Sequence, residues 1–206
     1  MHYSLHCTAP PEIEPITLQK ARYHAKVDAD RTEEDWLILA AITAARQLAE
    51  TQLGRRLITQ TWRITIDSFI DTQAMWNSIA SSSIAIEIPL SPLQSILSIK
   101  YFDSNNVEQT LDPAAYEYDP FAVRARVRPV WSTQWPQIRQ RPDSIVISAI
   151  VGFGDTPEDV PASIRQWILC AVTSMYENRA IATERGELVM NSFLDGLLDP
   201  YRIVEI

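Results

Sequence analysis

The chain has 206 residues, a net charge of −8 and an apolar fraction of 46%. That length carries one well-filled core or a domain with an elaborated insert, and the acidic balance argues against a grip on nucleic acid built from phosphate neutralisation. No stretch reaches the ~18–20 consecutive apolar residues of a membrane span, and the start, Met1 to Leu5, lacks the regions of a signal peptide, so a cytosolic chain with two reduced thiols, Cys7 and Cys170, is expected.

Residues 1–15 are polar and contain Pro10, Pro11 and Pro15, which reads as an extended N-terminal arm. Thr17 is placed to cap a short helix carrying Leu18, Ala21, Arg22 and Ala25, closed by Val27 to Asp30. Thr32 and Asp35 have the spacing of a capping pair ahead of a long helix, about 33–53. Leu37, Ala41, Ala44, Leu48 and Gln52 are read as its inner face, with Ile38, Ile42 and Ala45 beside it. Its alanines permit close approach of another helix, and Gly54 ends it, followed by Arg55 and Arg56 at the negative terminus.

The period then changes to two. Ile58, Gln60, Trp62, Ile64 and Ile66 share one side of a half-buried strand within 57–67. A serine-rich loop spans 68–82, and strands are expected at 84–90, 95–102, 107–111 and 122–128, with a turn at Ser104-Asn105-Asn106. Residues 129–143, with Trp131, Trp135 and three prolines, are expected to be an ordered loop because indoles bury large areas. Ile145 to Val151 reads as a central strand.

After Gly152-Phe153-Gly154 and a polar turn, Pro161 opens a helix, with Asp159 or Val160 as its N-cap. Ile164, Trp167, Ile168, Ala171, Val172, Met175 and Tyr176 form its apolar stripe, widened by Leu169 and Cys170, so more than one neighbour should cover it. Leu188, Val189, Phe193, Leu197 and Leu198 suggest a short C-terminal helix ending near Pro200. The apolar tail that follows can dock on its own domain or on a partner. Helices, then strands, then helices predict an α+β fold: a helical bundle from the N- and C-terminal segments with an antiparallel or mixed β-rich insertion. The expected organisation is an arm at 1–15 and a single domain at 16–206, helical at 16–56 and 160–200, with the insertion at about 57–152 and a tail at 200–206.

The residues offer little chemistry. His2, His6 and His24 all fall near the start, and the set His2, His6 and Cys7 lacks an evident fourth metal ligand. There is no H-E-x-x-H, no paired C-x-x-C and no phosphate-binding loop. Glu33, Glu34 and Asp35 suit a helix start better than acid–base work. No catalytic residue, cofactor or metal is expected. Arg124, Arg126 and Arg128 alternate along a strand, as a solvated row paired with acids or as an ionic contact to a neighbouring subunit. Trp131, Trp135 and Arg139 are residue types enriched at protein interfaces, in a loop either pinned to its own core or presented outward. The competing readings are a small-molecule enzyme with an unrecognised site and a nucleic-acid-binding module.

One ordered series of motifs carries a resemblance. It comprises Pro15 to Leu18 with Ala21 and Val27-Asp28, the run Glu50 to Trp62, Pro89 to Ile96 with Ser98, Ile99 and Tyr101, and Val107 to Leu111. It continues with Trp135-Pro136, Arg139 and Pro142, then Gly152 to Gly154, Val160-Pro161 with Ile164, and Met175 to Arg179. In this the chain resembles the head–tail connector (adaptor, head-completion) proteins of long-tailed bacteriophages and prophages, although Ala25 stands where a larger apolar residue is common. The resemblance implies a structural virion protein without catalytic residues. It implies a ring of about a dozen subunits on the portal vertex, a DNA channel passing through it without sequence-specific binding, and a platform for the tail or a head-closure protein. It further implies that Phe193 to Ile206 is the segment that docks on the portal. The interface candidates are therefore Arg124, Arg126, Trp131, Trp135, Arg139, Phe193, Leu197, Leu198, Tyr201, Ile203 and Ile206.

Overall fold

The computed structural model describes residues 3–28, 30–69, 85–139, 141–177, 194 and 196–203. It divides into two compact units, one of residues 1–10 with 59–152 and the other of residues 11–58 with 153–206.

The first unit is made of strands. In chain order these are β1 (Tyr3–Ala9), β2 (Gln60–Ile66), β3 (Ile86–Glu87), β4 (Leu93–Phe102), β5 (Glu108–Thr110), β6 (Tyr116–Tyr118), β7 (Arg126–Pro129) and β8 (Ile145–Val151). They form an antiparallel five-stranded sheet, β1-β2-β8-β4-β5, and an antiparallel three-stranded sheet, β3-β7-β6. As expected, β8 is central. Its Ile145, Ile147, Ala149 and Val151 are buried, whereas the intervening residues are half-buried, which is the strand alternation. Ile147 lies opposite Ile64 on one side and Ile99 on the other, and all three are buried, so an apolar row crosses the sheet. Phe69, Ile86, Ile88 and Val127 complete this core.

The N-terminal residues expected as an arm are extended, and Tyr3 to Ala9 pair with β2 as an edge strand, with a bulge between Cys7 and Ala9. The asparagine turn also forms. Asn106 adopts φ 64°, and the Asp103 carboxylate accepts from the N–H groups of Asn105 and Val107 and from Gln109 Nε2. These bonds hold its pKa below the usual carboxylate value. The strand Tyr116–Tyr118, only three residues long, escaped the periodicity reading.

The second unit holds α1 (Leu18–His24), α2 (Asp35–Leu53) and α3 (Ala162–Glu177). Thr17 Oγ1 accepts from Lys20 N at 3.3 Å, which is the expected cap of α1. The Thr32–Asp35 capping pair does not form. Thr32–Glu34 is a single 3₁₀ turn, and the Asp35 carboxylate instead takes the Arg22 guanidinium at 3.0 and 3.2 Å. Gly54 ends α2 in the left-handed region, φ 65°, as expected.

Neither Asp159 nor Val160 caps α3. Helical bonding begins with Arg165 N donating to Pro161 O. Asp159 belongs to the preceding turn, where its carboxylate accepts from the N–H and hydroxyl of Thr156, so its pKa is also lowered. Gly154 makes room for that carboxylate, because a Cβ there would lie 2.3 Å from Asp159 Oδ2.

On α3, Ile164, Trp167, Ile168 and Val172 are buried and Leu169, Ala171, Met175 and Tyr176 pack around them. Both α2 and α1 cover this stripe, so the expected second neighbour is present. The inner face of α2 is Ile38, Ala41, Ile42, Ala45, Ala49 and Leu53. Ala44 and Leu48, read as inward, are exposed.

The expected bundle with a β insertion is therefore corrected. The described residues hold three helices and eight strands in antiparallel sheets, 33% helix against 27% strand. The physical reason is that the strands close a core of their own, using the N-terminal segment as an edge, rather than decorating a helical core. The C-terminal helix expected around 188–200 lies largely outside the described residues, apart from a 3₁₀ turn at Asp199–Tyr201.

Candidate assembly surfaces

A buried charge network fixes the helical unit from within. Glu50, on α2, accepts from Arg46 Nη1 at 3.3 Å, from Arg56 Nη1 at 3.4 Å and from Leu57 N at 3.0 Å. Arg46 Nε donates to Glu14 Oε2 at 2.7 Å, and Thr43 Oγ1 donates to Glu14 Oε1 at 2.9 Å. Side chains of Glu50 and Arg46 are only 3% and 8% exposed. Charges so placed are tolerable because each is paired and hydrogen-bonded. The network joins the end of α2 to the chain leaving for β2.

The two tryptophans of the 129–143 loop have different fates. Trp135 stacks on Phe69, 4.6 Å between ring centroids and 6° between planes, and is pinned to the strand core. Trp131 is 95% exposed. It sits on a tight turn in which the N–H and hydroxyl of Thr133 donate to Val130 O, with Ser132 at φ 68°. Arg139 has an exposed side chain, and its backbone N–H donates to Phe102 O at 3.0 Å. The arginine row meets acids, as in the plainer of its two readings. Arg124 pairs with Glu87 at 2.9 Å and Arg128 with Glu117 at 2.8 Å. Arg126 is exposed and stands opposite Glu87 in strand register.

The C-terminal residues lie on their own unit. Leu198 is fully buried, and Leu197 and Tyr201 pack against the helical core. Ile203 N donates to Leu53 O at 2.9 Å, and Arg55 Nε donates to Tyr201 O at 2.6 Å. Burial lowers the Arg55 pKa below the ordinary arginine value. Phe193 and Ile206 lie outside the described residues.

Sequence reasoning missed several exposed apolar groups: Phe121 (95%) and Val123 (56%) in the β6–β7 connection, and Trp36 (69%) and Leu39 (47%) on α2. Apolar residues on both sides of α2 were the available signal. His24 is half-buried and its Nδ1 lies 2.7 Å from Thr173 Oγ1, joining α1 to α3. His6 and Cys7 are adjacent on β1 and so point to opposite sides. Among the described residues no group of three or more His, Cys, Asp or Glu side chains is placed to hold a metal ion. No helix among them is long and apolar enough to cross a membrane.

The two units each have their own core, and each leaves large apolar side chains on the surface. The family follows from the sequence. Residues 15–130 match the phage gp6-like head-tail connector proteins, and the chain belongs to that family. No curated protein matches it. Among solved structures, a chain from the "Neck of empty GTA particle computed with C6 symmetry" is similar, with a TM-score of 0.75, 18% identity, and 98% of this chain and 97% of that one covered. A chain of the virion of a native gene transfer agent (GTA) particle gives 0.74 and 19%, covering 98% and 96%. A chain from the neck of the native particle computed with C12 symmetry gives 0.69 and 19%, covering 98% and 97%. These likenesses establish a shared fold over nearly the whole length.

Proposed function

We propose that this protein is a structural head–tail connector subunit that forms a ring on the portal vertex, extends the DNA channel and offers a platform to the tail or to a head-closure protein. The observation that carries the reading is membership of the connector family, and the full-length fold likeness to neck chains from particles averaged with sixfold and twelvefold symmetry supports it. A ring of twelve fits both symmetries. The net charge of −8 suits a wall past which DNA slides without sticking. The role needs no catalysis, and the side chains described above serve packing and contact. Leu198 is fully buried in its own unit, so portal contact is assigned to the half-buried Leu197, Tyr201 and Ile203, whose remaining surface is open, with Phe193 and Ile206 in the same segment. Trp131, Arg126 and Arg139 face outward on the strand unit and are assigned to the next connector or the tail.

The test is particle assembly without this chain. Heads that package DNA but carry no tail, restored by supplying the protein, are expected. Normal tailed particles in its absence would overturn the reading.

A further inference from the structure

In α2 the usual placement of charge is reversed. Its charged residues after Asp35 are Arg46 and Glu50, and both are buried in the network around Glu14. Every exposed residue from Trp36 to Thr51 is uncharged. Trp36, Leu39, Ala40, Ala44 and Leu48 supply the apolar part of that face, in a chain where one residue in five is charged. Helix formation does not ask for this, since lysine and glutamate serve an exposed helical position as well as leucine. Ala40 and Ala44 present no bulk, so a facing backbone can come close.

We infer that the outward face of α2 is covered, in the assembled ring, by a neighbouring copy of this same chain. The inference rests on the ring reading above and names the surface that ring uses. Three observations favour a second copy over another protein. A closed ring needs two unlike patches on one chain, and this chain also carries the exposed Phe121 and Val123 of the β6–β7 connection as a counterpart. The strip spans roughly 22 Å of helix and one helix width. That area is well below the ~800 Å² per partner of a stable pair, so it suits a contact repeated around a ring rather than a free dimer. Finally, solved chains with this fold come from symmetric necks.

The experiment is negative-stain microscopy of the full chain, alone and mixed with portal rings, comparing wild type with Ala44→Glu and with Ser104→Glu, an equal charge change on the exposed β4–β5 turn. Ala44→Glu places another good helix former at an exposed position, and circular dichroism checks its folding. Its ring yield is expected to fall at least about tenfold, as a buried unpaired charge demands, while Ser104→Glu assembles normally. A photoreactive benzoylphenylalanine in place of Gln47 is expected to give a product of two identical chains. Wild-type rings with Ala44→Glu rings at equal yield overturn the surface while leaving the ring reading intact. A product with the portal chain, or equal loss with Ser104→Glu, also overturns it. Absence of wild-type rings in both conditions overturns the ring reading, and the surface with it.

Discussion

The strand unit and the helical unit differ in whether they bury charge: among the described residues, the buried charged side chains, Arg46 and Glu50, are both in the helical unit. In the strand unit the buried polar side chains, Gln60, Thr65, Ser91 and Ser144, are uncharged, and the ion pairs Lys100–Glu108, Arg124–Glu87 and Arg128–Glu117 are exposed. In the helical unit Glu50 and Arg46 are buried and paired, whereas Trp36, Leu39 and Leu48 face outward. Exposed pairs contribute little to stability because water screens them; buried pairs are costly to break. The first unit thus keeps its ion pairs in water, although Phe121 and Trp131 are exposed there too. The second has charged ties in its interior, and the exposed residues of α2 from Trp36 to Thr51 are uncharged.

Removing a core indole sets the upper end of that contrast. Trp167→Ala in α3, where the side chain is 3% exposed, should cost about 4 kcal/mol through lost burial and an unfilled cavity, read from urea unfolding. An unfolding midpoint close to wild type would mean that α3 is not the packing centre of its unit. Next come the charges. Glu50→Ala removes the buried carboxylate from Arg46, Arg56 and the Leu57 N–H, leaving Arg46 with Glu14, and a loss of about 3 kcal/mol is expected. Glu108→Ala in the strand unit should cost less than about 0.5 kcal/mol, since both partners are more than two-fifths exposed. Equal effects at the two glutamates would erase the distinction between the units.

The smallest effect is titrimetric, with one group in each unit. Asp103 and Asp159 have folded pKa values below their unfolded ones because of hydrogen bonds from backbone and side-chain donors. Their contribution is present above the unfolded carboxylate pKa, about 3.9, and is lost as pH falls through the folded value. Tm should therefore decline slightly in that acid range. Asp103→Asn and Asp159→Asn should each shorten the decline, with no change in its slope at neutral pH. A decline untouched by either substitution would remove these turns as its cause.

Local chemistry was readable wherever one residue type answers one backbone need. Gly54 past the end of α2, Thr17 before α1 and the asparagine turn after β4 formed as their residues require. The central place of β8 followed from its apolar run. The phase of α2 was not readable, because a helix apolar on both sides has no polar face to say which one is inner. Tyr3–Ala9 looked like an arm because only Leu5 and Cys7 of that strand are even half-buried, and its partner β2 lies more than fifty residues away. Glu50 and Arg46 look like surface residues in a sequence, since their burial depends on Glu14 and on Leu57 arriving from either side. Interface residues were only partly separable. Trp131 and Trp135 are alike in the sequence, and the packing of Trp135 on Phe69 and the strand core divides them.

Counting copies tests the main claim most directly. Native mass spectrometry of the purified chain bound to portal rings should give one ring of identical subunits per portal, twelve in number, with no stable pair in the free chain at micromolar concentration. A free monomer that portal rings do not recruit, at any ratio of the two proteins, would contradict the account.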